Sequence, residues 1–193
     1  MMKRIKIFTG ILIMSGFILF TGELRAQTVN NQDSEKIVDQ EKKEELKRDS
    51  EAAKSAFIQN SQDLDDLFDT AAGYVIFPNV GAGAYILGGA AGNGVLYENG
   101  EVQGFAELRQ MDVGLQIGGQ AYRQVILFQT QEELEKFKSG EYSFSGNASA
   151  VILEEGKAKS VTFNDGRAIV TMPKAGAMLE ISIGGQKFNY RDK

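Results

Sequence analysis

Histidine and cysteine are both missing from the 193 residues. Proton transfer and nucleophilic attack would therefore fall to carboxylates, with arginine to steady charge. The nearest grouping of that kind is Glu107 and Asp112 at a strand end, with Arg109 and Arg123 close by in sequence. Surface turns carry such residues far more often than active sites do, so this carboxylate-enzyme reading is the weaker alternative. Without His or Cys there is no catalytic triad, no thiolate and no zinc site of ordinary type. No cofactor or metal is expected, and a structural disulfide is impossible.

Two other arrangements invite a chemical reading. From Thr70 to Tyr97 the chain reads TAAGYVIFPNVGAGAYILGGAAGNGVLY, without one charge. Gly83 and Gly88 have the gap of a phosphate-binding loop, but Gly89-Ala90 stands where Lys-Ser/Thr is needed. Gly81 and Gly83 lack the third glycine of a dinucleotide fingerprint. A membrane-spanning helix is disfavoured by the density of glycine together with Pro78, Asn79 and Asn93. The stretch reads instead as strands buried on both faces, with Gly81, Gly83, Gly88, Gly89, Gly92 and Gly94 marking bends, bulges or close backbone approaches. The second arrangement is a lysine strip. At helical pitch Lys36, Lys43, Lys47 and Lys54 share one face, in steps of seven, four and seven. They are the candidate contacts for an anionic membrane surface, where each cation is worth about 1 kcal/mol.

The elements that must carry these residues are legible in outline. Residues 33–60 lack Gly and Pro and are rich in Glu, Lys and Ala, which predicts a helix. Its apolar side is thin: Ile37, Val38, Leu46, Ala53, Ala56, Phe57 and Ile58. A second helix is expected over 61–72, with Leu64, Leu67 and Phe68 inward and Gly73 as its stop. Thr130 and Glu133 make a capping box for a short helix near 130–139, closed by Gly140. Asn99-Gly100 and Asp165-Gly166 predict tight hairpins. Gly184-Gly185 separates AMLEISI from QKFNY, and the alternation of Val161 with Phe163 predicts a strand before Asp165. The fold class is α+β: a helix or helix pair packed on a mostly antiparallel, Gly-rich sheet, either a sandwich or a partial barrel.

The first residues have the layout of an export signal. Lys3, Arg4 and Lys6 precede an apolar run from Ile7 to Phe20, and Leu-Arg-Ala ends at Ala26. Residues 1–26 are expected as a signal peptide cut after Ala26, residues 27–32 as a flexible leader, and 33–193 as a single domain, helical over 33–72 and mainly β over 73–193. Leu24 is large for its place before the cut, so retention as an anchor stays open. Removal of 1–26 takes four basic residues and one acidic one, leaving 17 basic against 25 acidic and a net charge of −8. Nucleic acid is not a partner for so acidic a chain. Residues 33–69 alone hold twelve acidic and six basic side chains.

Three blocks in this order resemble the SYLF-domain family of lipid-binding proteins: AAGYVIFPNV with GAGAYILGGAAGNGVLY, then MDVGLQIGGQAYRQVILFQTQEELEKF, then KAGAMLEISIGGQKFNY. Together they cover about residues 52–190. The resemblance implies binding without turnover, with a phospholipid or membrane surface as partner. Eukaryotic relatives attach to phosphoinositide membranes through an amphipathic N-terminal segment and occur in actin-patch adaptors, whereas bacterial relatives are exported and commonly stand alone. Actin has no place in a bacterial envelope and is not carried over. The expected function is thus an exported, non-enzymatic lipid-binding module in the periplasm or outer envelope. A small outer-membrane β-barrel is the alternative. The oligomeric state is not legible.

Overall fold

A computed structural model describes residues 21–81, 89–111, 121–140, 142–144, 150–153, 159–174 and 183–193. The chain forms two compact units, Met1–Lys42 and Lys43–Lys193. The elements are α1 (Thr21–Asn60), α2 (Asp63–Thr70), β1 (Gly73–Gly81), β2 (Gly89–Glu98), β3 (Glu101–Met111), β4 (Ala121–Phe128), α3 (Gln131–Lys138), β5 (Val151–Ile152), β6 (Arg167–Pro173) and β7 (Gln186–Asp192). The described part of the first unit belongs to α1, which takes in residues 27–32, and Asp39 to Lys42 are exposed there. All packing described below lies within the second unit.

The seven strands form one sheet in the order β5-β6-β4-β1-β2-β3-β7. Every pairing is antiparallel except β5 with β6. With three helices, this is the α+β class that the sequence predicts. The sheet is strongly rolled. Between β4 and β7 lie three strands, a separation of about 19 Å in a flat sheet at roughly 4.8 Å per step. Yet the Gln124 amide of β4 donates to the Gln186 side chain of β7 at 2.9 Å. Of the two arrangements expected, the partial barrel is realised.

Strand alternation divides the core into two. The concave face carries Val75, Phe77, Leu96, Leu108, Ile126 and Phe188, all at most 2 % exposed. α3 fills it with Leu134 and Phe137, whose ring lies 5.2 Å from Phe128 and 5.6 Å from Phe188. Tyr142 and Phe144 complete this aromatic plug. The convex face carries Tyr74, Ile76, Val95, Val125, Leu127 and Val170 under Ala53 and Phe57 of α1 and Leu64 and Phe68 of α2. Burial on both sides explains why YVIF, VILF and AIV read as unbroken apolar runs.

Pro78 lies buried in β1, the middle strand, where it has no N–H to offer. The ladder answers with a bulge. Register shifts between Ile76 and Asn79 against β2, and between Phe77 and Val80 against β4. Opposite the bulge β2 uses glycine: a Cβ on Gly94 would lie 2.7 Å from the Ile76 carbonyl oxygen and from the Phe77 ring, and one on Gly92 2.7 Å from the Asn79 carbonyl.

Several local expectations hold and others change. Asn99 and Gly100 take φ of 53° and 77°, the left-handed pair of a tight hairpin between β2 and β3. Thr130 caps α3 by accepting from the Glu133 N–H at 3.3 Å, and Gly140 ends the turn at φ 78°. The Glu133 carboxylate does not return the cap; it holds Lys136 at 2.8 Å. Asp165-Gly166 turns as expected, but no strand precedes it beyond the Asn164–Arg167 bridge. The flank of β6 is already taken by β5 and by Leu153, whose N–H bonds Thr171 O at 2.8 Å. Residue 161 instead packs toward α2, with its N–H 3.4 Å from the Asp63 carboxylate. Gly73 is no helix stop. α2 ends at Thr70, its cap residue Ala71 is already extended with ψ 142°, and Gly73 opens β1 where a Cβ would strike Leu134 and the Tyr97 carbonyl. The expected strand AMLEISI up to Ser182, the AYILGG segment up to Gly88 and the GLQIGGQ block up to Gln120 lie outside the described residues, as do positions 1–20 of the expected signal.

Two outcomes test this packing. Gly94→Ala forces a methyl group into the β1 bulge and lowers unfolding free energy by about 1–3 kcal/mol, read from urea denaturation. Burial pushes the Tyr142 phenol up to about 12, with Arg167 opposing the shift. An unfolded tyrosine ionises near pH ~10, so this contribution to stability is complete below that pH. It is lost as pH rises through about 12, and a thermal-melt series across that window will show the decline.

Candidate binding site

α1 carries all four lysines of the strip. Lys36 belongs to the first unit, and its side chain lies outside the described ones. The other three flank the stripe that docks on the sheet, Leu46, Ser50, Ala53 and Phe57, in steps of four, three and four. Lys47 and Lys54 lie one position beside that stripe and Lys43 one turn before Leu46, so the ammonium groups of all three meet rings of the convex face. Lys54 is half-buried, with Nζ 4.9 Å from the Phe68 ring centre and 5.0 Å from that of Tyr74. It also donates to the Tyr74 hydroxyl at 3.0 Å. Tyr74 in turn stacks on Tyr97 at 5.1 Å. Lys43 and Lys47 lie 5.0 and 6.0 Å over Phe105, and Lys47 pairs with Glu44 at 2.8 Å. Lys43 remains exposed.

Of the six glycines of the strand motif, Gly81 ends β1 and Gly89 opens β2, while Gly83 and Gly88 lie outside the described residues. Gly92 and Gly94 face the concave side, where Val80 and Phe77 take the room that a side chain would need. These two serve close packing against the β1 bulge.

The acid–base candidates do not converge. Glu107 pairs with Arg109 at 2.7 Å, two residues apart on β3. Asp112 lies outside the described residues, and Arg123 is half-buried on β4. The buried polar groups are neutral. Gln124 and Gln186 exchange amide hydrogen bonds at 2.9 and 3.1 Å. Gln186 also donates to the Tyr122 hydroxyl at 3.1 Å, and that hydroxyl donates to Gln110 at 3.3 Å. Burial pushes the Tyr122 phenol up, so it stays protonated. Sequence reasoning missed this cluster. Its signal was the inward parity of Tyr122, Gln124, Ile126 and Phe128, every second residue of β4.

A rolled antiparallel sheet, filled on its concave side and clad by helices on its convex side, defines a small α+β domain. Residues 109–193 match the family described as Ysc84, Las17-binding protein actin regulator, in agreement with the SYLF-domain resemblance of the sequence. A comparison with curated proteins finds no match. The matched segment cannot complete its sheet alone, because β4 pairs with β1 and β7 with β3, strands that start upstream of it.

Lys54 is the anchor of α1 on the sheet. Lys54→Ala removes a ring-bound ammonium and its bond to Tyr74, and costs about 1–3 kcal/mol in denaturant unfolding. Lys43→Ala, at an exposed position, changes stability by less than about 0.5 kcal/mol.

Proposed function

We propose that the chain is an exported, non-enzymatic module that binds a phospholipid surface of the cell envelope. Residues 1–26 serve as the signal, and 33–193 act as one functional domain. The observation that carries this reading is the filled concave face. Phe77, Leu108, Ile126, Phe128, Leu134 and Phe137 are all fully buried, so the rolled sheet is packed where a lipid carrier would hold an acyl chain. Binding is therefore external, and the family match at 109–193 together with the SYLF resemblance supports a membrane surface as what is bound. The basic start and apolar run of residues 3–20 support export.

The alternatives are less well supported. A membrane-spanning barrel turns its convex side chains to lipid; here Tyr74, Ile76 and Val125 of that side are covered by α1 and α2. A carboxylate enzyme needs converging acidic groups, and Glu107 is instead tied to Arg109.

Co-sedimentation of the purified chain with vesicles provides the test. Binding to phosphatidylglycerol-containing vesicles is expected at low salt, weakening as salt screens the contact. Failure to bind any bacterial lipid mixture at either salt concentration would overturn the reading.

A further inference from the structure

A chain of net charge −8 without its signal is repelled by an anionic surface, so attachment needs local cations that the protein itself has not neutralised. Several basic side chains on the sheet and α3 are spoken for: Lys138 holds Glu98, Lys136 holds Glu132 and Glu133, Arg109 holds Glu107, and Arg167 lies 3.7 Å from Glu133, while Lys187 and Arg191 of β7 are exposed. One pair is different. Arg123, half-buried on β4, has no ion pair or side-chain hydrogen bond among the described residues. Lys174, half-buried just past β6, has the Asn79 side-chain oxygen, at 3.2 Å, as its side-chain hydrogen-bond partner among the described residues.

Register brings these groups together. Arg123 pairs with Met172, and the Lys174 N–H bonds the Ala121 carbonyl at 2.9 Å. Arg123 and Lys174 are thus diagonal neighbours on the convex face, with backbones about 7–8 Å apart. Between the pairs Phe77–Gln124 and Val80–Tyr122, the two residues Pro78 and Asn79 face the single residue Arg123. The bulge thus turns Asn79 outward beside both cations, and it is exposed. Desolvation and the Arg123 charge hold the Lys174 pKa below its ordinary value, with only partial opposition from Asp49 of α1. Two like charges held together and half-dehydrated are unfavourable unless an anion joins them.

We infer that Arg123, Lys174 and Asn79 form a site for a phosphate group. The guanidinium offers a two-pronged donor, the ammonium a point charge, and the Asn79 amide nitrogen a neutral donor, which together suit a tetrahedral oxyanion. That the phosphate is a lipid headgroup rests on the function proposed above; inorganic phosphate presents the same oxygens.

The experiment compares the full chain with Arg123→Gln/Lys174→Gln and, as a milder probe at an exposed position, Asn79→Ala. Each is tested by co-sedimentation with phosphatidylcholine vesicles, with and without phosphatidylglycerol. Each is also titrated with inorganic phosphate, following the Asn79 side-chain amide by NMR where it is present. The double variant is expected to bind phosphatidylglycerol vesicles roughly 30-fold more weakly, about five-fold per cation. Asn79→Ala should lose a smaller factor while melting like the parent. A phosphate-dependent shift of the Asn79 amide without vesicle binding upholds the site and overturns the lipid reading. Undiminished vesicle binding by the double variant, with an Asn79 amide indifferent to phosphate, overturns the site and leaves the lipid reading intact. Should the double variant not fold, an Asn79→Ala chain that binds vesicles as the parent does, with no amide shift in the parent, overturns it equally.

Discussion

Pro78 occupies the central strand of a seven-stranded sheet and has no N–H for either neighbour. A regular ladder through it would leave unsatisfied carbonyl partners in the middle of the core. The bulge at Phe77–Asn79 avoids that cost, and much else follows from it. β1 bends, β2 answers with Gly92 and Gly94 where any side chain would collide, and the local bend adds to the roll of the sheet. The same bulge places Asn79 on the surface opposite Arg123.

Rolling the sheet gives its two faces different work. The concave face closes over an aromatic cluster at the α3 end, where Phe128, Phe137, Tyr142 and Phe188 lie with ring centres between 5.2 and 6.1 Å apart. Toward the other end it holds the glutamine–tyrosine cluster, whose hydrogen bonds tie β4 to β7 across three intervening strands. Amides that satisfy one another add directional constraint to an otherwise apolar interior. The convex face is closed by α1 and α2, with Lys54 seated between Phe68 and Tyr74. Both faces of the described sheet are thus occupied by the protein's own side chains.

Electrostatics sharpen that conclusion. α3 keeps its lysines in ion pairs, and the α1 lysines at 43, 47 and 54 rest over rings of the sheet they cover. The pair at Arg123 and Lys174 is instead assembled by cross-strand register and makes no ion pair among the described residues, with Asp49 of α1 acting on Lys174 from farther off. On an acidic chain, a half-buried basic pair concentrates positive potential locally.

The sequence alone determined the elements with local causes. Asn99-Gly100 and Asp165-Gly166 were readable as turns because left-handed φ is a property of the residues themselves. The Thr130 cap and the burial of the described strands of the uncharged stretch were readable because capping and two-sided burial leave short-range patterns. The strand expected before Asp165 did not form, since which chain takes the edge of β6 depends on β5 and not on local alternation. The lysine strip was legible as a helical face, but its orientation was not, because helical pitch fixes which side chains share a side and only docking decides what that side meets. Gln124 meeting Gln186, and Arg123 meeting Lys174 and Asn79, were decided by tertiary structure for one reason. Both contacts depend on sheet roll and strand register, which join residues tens of positions apart and leave no trace in the spacing along the chain.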